Sequence, residues 1–364
     1  MRDVSAQPPP AADQVSAEPL ARYTTLGLGG AARRTLVAES SDEIVQMVRE
    51  AELAGEPVLL LAGGSNVVIG DAGFPGTVVL IRSGGVRTVA ETAGTVTLRV
   101  AAGERWDDLV ARTVAEGLSG CECLSGIPGS CGATPIQNVG AYGQEVAETV
   151  AAVEAYDRVA GEVVRMTAAE CGFAYRSSVF RHSDRWAILS VDLTLARSPL
   201  STPIRYAELA RRLGVQQGER VELARAREAV LQLRAGKGMV LDPADPDTRS
   251  AGSFFTNPVL DGRAYEALRQ RAADAGLGEP ASWPGTSGVV KVSAAWLIER
   301  AGFGKGHPGP GGVAISSKHT LALTNPTGTS TEALLGLARE IRAGVRDRFG
   351  VTLHPEPIMI NCAL

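Results

Sequence analysis

The chain has 364 residues, 45% hydrophobic and 21% charged, with a formal net charge of −4. That length points to two or three domains rather than one simple core, and the negative charge excludes a nucleic-acid binder that works by charge alone. No apolar run approaches the ~20 residues of a membrane span.

Met1 to Leu20, rich in Pro, Ala and acidic residues, has no apolar signal-peptide core and is expected to be a disordered tail over 1–20. Ser40-Ser41-Asp42-Glu43 matches a capping box, and Ile44, Val48 and Ala51 follow at helical spacing until Gly55. Pro57 to Leu61 reads as a buried strand that runs straight into Ala62-Gly63-Gly64-Ser65-Asn66. Val78 to Ile81 and Thr97 to Val100 read as strands, and Trp106 to Glu116 as a helix. Ser125 to Gly143 holds five glycines and two prolines and cannot form a regular helix or strand, and few long loops of this kind are mere connectors.

Strand character resumes at Val150 to Tyr156 and Ala187 to Leu195. Helices are expected from Arg205 to Leu213 and from Val221 to Arg234. From Met239 the pattern is strand and loop until a helix at Val292 to Arg300, then a strand at His319 to Leu323. Thr329-Ser330-Thr331-Glu332 is a second capping box opening a helix that Gly350 ends, and Val351 to Ile360 reads as a final strand. The mix is α+β, with several small sheets.

The five cysteines are odd in number and a chain this long needs no disulfide staples, which fits a reducing cytoplasm. Cys121, Cys123 and Cys131 lack the usual metal spacing, so no metal is expected. Gly63-Gly64-Ser65-Asn66 after a buried strand suits phosphate binding, with the Ser130 to Gly143 loop as a second wall. Together they suit a long ligand with a pyrophosphate; taken alone, Gly63-Gly64 is as well read as a tight turn. There is no P-loop, and Gly27 to Ala32 fits a dinucleotide fingerprint only formally, since strand rather than helix character follows it. Ser253, after a glycine and before two phenylalanines, is a poor nucleophile without an adjacent base but serves as a proton donor if held. Its bland alternative is an ordinary turn beside a buried aromatic pair.

These residues carry a resemblance. Thr24-Thr25-Leu26-Gly27, Gly63 to Val67, Ile127-Pro128-Gly129-Ser130, Pro135 to Gly143, Tyr175 to Phe180, Ala251 to Phe255 and His354 to Pro357, in this order over about 22–360, resemble the UDP-N-acetylenolpyruvoylglucosamine reductases of peptidoglycan synthesis. The resemblance implies a p-cresol methylhydroxylase-type FAD-binding domain of two α/β lobes over 21–200, with a lobe boundary near 85. It implies a connecting helical segment with a tyrosine loop over 201–235, an α+β UDP-sugar domain over 236–350, and a C-terminal strand over 351–364 that returns to the active site.

The implied reaction is NADPH-dependent reduction of UDP-N-acetylglucosamine enolpyruvate to UDP-N-acetylmuramate. Bound FAD passes hydride from N5 to C3, and Ser253 gives a proton to C2. Arg176 matches the residue that polarises the enolpyruvyl carboxylate, a task for a planar guanidinium. Glu356 matches the third catalytic position. Read without this context, Arg176 is a surface residue and Glu356 a solvated turn. For the cofactor the resemblance implies Gly63, Gly64, Ser65, Asn66, Ile127, Pro128, Gly129, Ser130, Gln137, Asn138, Gly140, Ala141, Tyr142 and Gly143. For the substrate it implies Lys237 and Asn257 near the diphosphate, Tyr206 on the closing loop of the family's longer subtype, and a weaker role for His319.

The implied protein is a cytoplasmic monomer that acts on a small molecule and needs no membrane. Cys131 replaces a small apolar residue of the family, and Thr256 stands where Lys is often found. Two other readings share the glycine loops: another FAD enzyme such as a sugar or aldonolactone oxidase, and a non-catalytic nucleotide-binding regulator. Neither needs Ser253, Arg176 and Glu356 together.

Overall fold

A computed structural model describes residues 18–285 and 288–364. The tail expected over 1–20 lies outside this range except at its end, where Leu20 is fully buried.

The first lobe is a parallel sheet in the order Ala32–Ala38, Phe74–Ile81, Val58–Leu61. Helix Ser41–Leu53 lies against it, burying Ile44, Met47, Val48 and Ala51. Its start follows the expected cap: Ser40 Oγ accepts from Glu43 N at 3.2 Å, and the Glu43 carboxylate accepts from Glu39 N at 2.7 Å.

The second lobe is antiparallel, with the path Glu162–Thr167, Val150–Asp157, Trp186–Arg197, Thr95–Ala101, Val86–Glu91. Helix Trp106–Ala115 covers its core. Cys121, Cys131 and Cys171 are buried in that core as small hydrophobes, and burial pushes the Cys121 thiol up to about 12.

Helices Ala207–Leu213 and Leu223–Ala235 form a satellite core with Ile204, Leu209 and Val230, against which Tyr142 packs. The C-terminal unit has two small sheets. One orders Ser250–Ser253, Ala322–Thr324, Ala314–Ile315; the other orders Val259–Leu260, Val290–Val292, Ser282–Pro284. Phe254 and Phe255 anchor its core beneath helices Gly262–Asp274, Ala294–Arg300 and Thr331–Phe349.

Three expectations shift. Helix Gly262–Asp274 was read as strand and loop; only Leu268 and Ala272 of it are buried, so its apolar stripe is too thin to register. The second cap falls on Ser330, whose Oγ accepts from Ala333 N at 3.1 Å, one residue later than the box read from Thr329. Asp71 of the first lobe supplies the rest, accepting from Thr331 N at 2.7 Å and Glu332 N at 3.0 Å. The last strand is only Ile358–Ile360, because Pro355 and Pro357 have no N–H to donate and Pro355 reaches only an isolated bridge to Phe255. It pairs in parallel with Val67–Ile69, which brings the chain's end back to the first lobe.

Candidate functional site

The glycine loop after Val58–Leu61 and the loop Ile127–Ser130 meet with no room for side chains. A Cβ on Gly63 would lie 2.6 Å from Gly129 Cα, and one on Gly64 would lie 1.8 Å from the Tyr23 carbonyl. Gly64 and Gly129 also hold φ of +58° and +111°, which favour glycine. Two side chains stitch the loops: Ser65 Oγ donates to Pro128 O at 3.1 Å, and Asn66 Nδ2 donates to Gln137 Oε1 at 2.9 Å.

Between them opens a cavity of about 390 Å³. Gly63 to Asn66, Ile127 to Ser130, Gln137, Gly140, Arg176, Ser253 and Glu356 all line it. Ser130 Oγ is buried there without a hydrogen-bond partner among the described residues.

Arg176 sits in a tight turn with φ +51°. Its Nε donates to Glu356 Oε1 at 3.1 Å, its Nη2 to Gly140 O at 2.7 Å and its Nη1 to Asn138 O at 3.4 Å. Glu356 is in the bend before the last strand rather than on it. Its N donates to Phe254 O at 2.8 Å, and Ile358 N donates to Asn66 O at 3.0 Å, so the bend is held between Ser253's neighbour and the glycine loop. Burial raises the Glu356 pKa against the opposing pull of Arg176 and Arg181. Arg181, which no motif singled out, donates to the carbonyls of both Arg176 and Glu356. Ser253 lines this cavity.

The remaining expected site residues divide. Asn138 is buried and holds its loop, donating to Glu145 Oε2 at 2.7 Å and Ala174 O at 3.1 Å. Ala141, Tyr142 and Gly143 lie off the main cavity, with Tyr142 edge-on to Tyr206 at 5.5 Å. Lys237 and His319 instead line a second, basic cavity with Glu208, Arg212, Lys305 and Lys318. Burial works against the Lys237 ammonium, but the Glu208 carboxylate at 2.7 Å outweighs it and the pKa is raised. His319 is pushed down to about 4, by burial first and then by Lys237 and Lys305, so it is neutral at pH 7. Asn257 lies on neither wall; its Oδ1 accepts from Ala294 N at 2.9 Å and caps that helix. Among the described residues no group of three or more His, Cys, Asp or Glu is placed to hold a metal.

Two family models match this chain: an FAD binding domain over residues 32–167, and the UDP-N-acetylenolpyruvoylglucosamine reductase C-terminal domain over residues 243–360. A UDP-N-acetylenolpyruvoylglucosamine reductase of Salinispora arenicola is 69% identical over 347 residues, covering 95% of each chain. The chain belongs to the UDP-N-acetylenolpyruvoylglucosamine reductase family. A reductase of that name from Thermobifida fusca is 57% identical over 349 residues, covering 95% of this chain and 98% of the relative. The solved structure of the reductase from Thermus caldophilus shares the fold, with a TM-score of 0.65 at 24% identity over 96% of this chain and 98% of that one. The architecture is thus α+β, a two-lobed FAD-binding domain followed by the family's C-terminal domain, and the chain is a flavin-dependent oxidoreductase.

FAD fits this cavity on local grounds. The loops leave a side-chain-free cradle of backbone suited to a pyrophosphate, and Ser130 Oγ offers an unused polar atom on its wall. Gly63→Ala, by driving a Cβ into Gly129, is expected to strip the purified protein of flavin. The ratio of flavin to protein absorbance checks this, and a fully yellow variant would contradict it.

Proposed function

We propose that the chain reduces UDP-N-acetylglucosamine enolpyruvate to UDP-N-acetylmuramate, with NADPH as the reductant. The single observation that carries this reading is the meeting of Ser253, Arg176 and Glu356, from three distant segments, on the wall of the cavity that the glycine loops build. Gly63 to Asn66 and Ile127 to Ser130 would hold FAD, which when bound supplies hydride chemistry between NADPH and C3 of the enolpyruvyl group.

The residues of this chain do the rest. Arg176 presents a guanidinium, already oriented by Glu356 and the Gly140 carbonyl, to the substrate carboxylate. As negative charge grows on that carboxylate and C2, a preset cation stabilises it without reorganising. Ser253 gives its proton to C2, and Gly252 before it leaves open space for the approach. Glu356, half-buried with a raised pKa, holds Arg176 in place on the cavity wall.

Lys237 and neutral His319 would meet the diphosphate and Tyr206 the closing loop, with Asn257 holding the adjoining helix. We assign the FAD-binding unit to 21–200, the tyrosine-loop segment to 201–235 and the UDP-sugar unit to 236–350. A cytoplasmic monomer is consistent with this reading, and no helix among the described residues is long and apolar enough to cross a membrane. Lys237→Ala is expected to raise KM for the UDP-sugar while leaving flavin reduction by NADPH near its normal rate. Equal slowing of both steps, by stopped flow, would remove Lys237 from the substrate site. Mass spectrometry of the product tests the proposal itself: UDP-N-acetylmuramate supports it, and unchanged substrate in the presence of NADPH refutes it.

A further inference from the structure

Arg181 lies outside the lining of the main cavity, yet its guanidinium touches the backbone of both Arg176 and Glu356. Nη1 donates to Arg176 O, and Nη2 donates to Glu356 O at 3.4 Å. Nε is buried without a hydrogen-bond partner among the described residues, so the side chain is held by its two ends alone.

Neither carbonyl has another donor among the described residues. The Arg176 turn closes on itself through Ala174 N to Ser177 O at 3.0 Å and Ser177 N to Ala174 O at 3.1 Å, and these bonds leave the Arg176 carbonyl out. Arg176 keeps φ +51°, a backbone state that a non-glycine residue holds only where its surroundings fix it. The Glu356 bend is tied through its own N–H to Phe254 O at 2.8 Å, next to Ser253, and its carbonyl is left to Arg181.

Arg181 is itself anchored in the second lobe. Phe180 before it is buried in that lobe's core, edge-on to Trp186 at 6.2 Å. Ser178 Oγ donates to Ile136 O at 2.6 Å and accepts from Phe180 N at 3.1 Å. Contacts therefore run from a packed core, through one guanidinium, to the turn and the bend that aim Arg176 and Glu356. Charge acts in the same sense: burial raises the Glu356 pKa, and Arg176 and Arg181 oppose that rise.

We propose that Arg181 is a positioning residue for the enolpyruvyl half-reaction, clamping the Arg176 turn to the Glu356 bend so that both side chains meet the substrate as one preset unit. This rests on the reading of Arg176 and Glu356 given above and adds to it the residue that holds them.

The test follows the two half-reactions of the FAD-loaded full chain by stopped flow. Arg181→Met removes both bonds and the charge. It is expected to leave FAD content and flavin reduction by NADPH at wild-type values and to slow reoxidation by the enolpyruvyl sugar about tenfold to hundredfold, the scale of a misplacement of about 1 Å. Arg181→Lys keeps the charge and enough donors for two carbonyls, and loses only the Nε that makes no bond, so it should restore reoxidation to near the wild-type rate. The charged groups that face Glu356 are Arg176 and Arg181, with the Tyr175 phenol, neutral at pH 7, beside them. The acid limb of the reoxidation rate should therefore move to higher pH in the Met variant, where Arg176 alone opposes the burial of Glu356, and stay in place in the Lys variant. If the Met variant does not fold, Arg181→Gln, neutral and too short to reach both carbonyls, carries the same test. A neutral variant that reoxidises at the wild-type rate overturns the proposal. Equal slowing of both half-reactions, or loss of FAD, also overturns it by making Arg181 a support of the fold alone, and so does a Lys variant as slow as the Met variant. Wild-type protein whose reduced flavin the sugar does not reoxidise fails the underlying reading instead, which separates the two failures.

Discussion

Ser253→Ala should take up electrons from NADPH at the normal rate and then stall. Reoxidation of the reduced flavin by the enolpyruvyl sugar is expected to slow by ~10²–10⁴, the usual contribution of a positioned proton donor. The separation follows from position. Ser253 lines the cavity next to Phe254, whose carbonyl accepts from Glu356 N, while the glycine loops that would hold the cofactor are stitched to each other without it. Its backbone is fixed from both sides, since Ser253 pairs with Ala322 and Phe254 N donates to Leu321 O at 2.7 Å. Removing one hydroxyl oxygen from a half-buried position leaves that frame in place. Stopped-flow absorbance of the two half-reactions reads the result, and normal reoxidation would remove Ser253 from its proposed role.

Arg176→Met is the second large effect. It removes the cation proposed for the substrate carboxylate and strands Glu356, whose half-buried carboxyl is already raised in pKa. Loss of one preorganised electrostatic stabiliser typically costs ~10²–10³ in rate. Arg176→Lys should rescue little of this. A lysine offers a point charge, whereas three separate nitrogens of Arg176 are engaged by Glu356, Gly140 and Asn138. Both variants meet the same left-handed backbone at φ +51°, so that strain cancels in the comparison. Steady-state kcat/KM measures the loss, and wild-type values for the Lys variant would show that charge alone suffices.

Local order was legible in the sequence where one segment carries its own reason. The Ser40 cap, the strand running into Gly63, and the glycine-rich 125–143 loop all stand where their residues predicted, although of that strand only Leu61 is fully buried. The assembly of the site was legible only through motif order, because Arg176 and Glu356 are 180 positions apart and nothing local in either segment points to the other. Arg181 and the Asp71 cap on helix Thr331–Phe349 were not legible. Each acts through a partner on another element: the Arg176 and Glu356 carbonyls, and the first N–H groups of a helix some 260 residues on. Helix Gly262–Asp274 escaped for the opposite reason, since it buries too little to leave a periodic signal. The basic cavity was half seen: Lys237 and His319 stood out, but Lys305 and Lys318 become its members only once the fold brings them in.

Anaerobic NADPH consumption by the purified yellow protein, with and without UDP-N-acetylglucosamine enolpyruvate, tests the central claim most directly. Sustained oxidation that requires the enolpyruvyl sugar and matches it mole for mole is the predicted result. A flavin that is reduced by NADPH but never reoxidised by that sugar would contradict the account and leave the fold to a different flavin oxidoreductase chemistry.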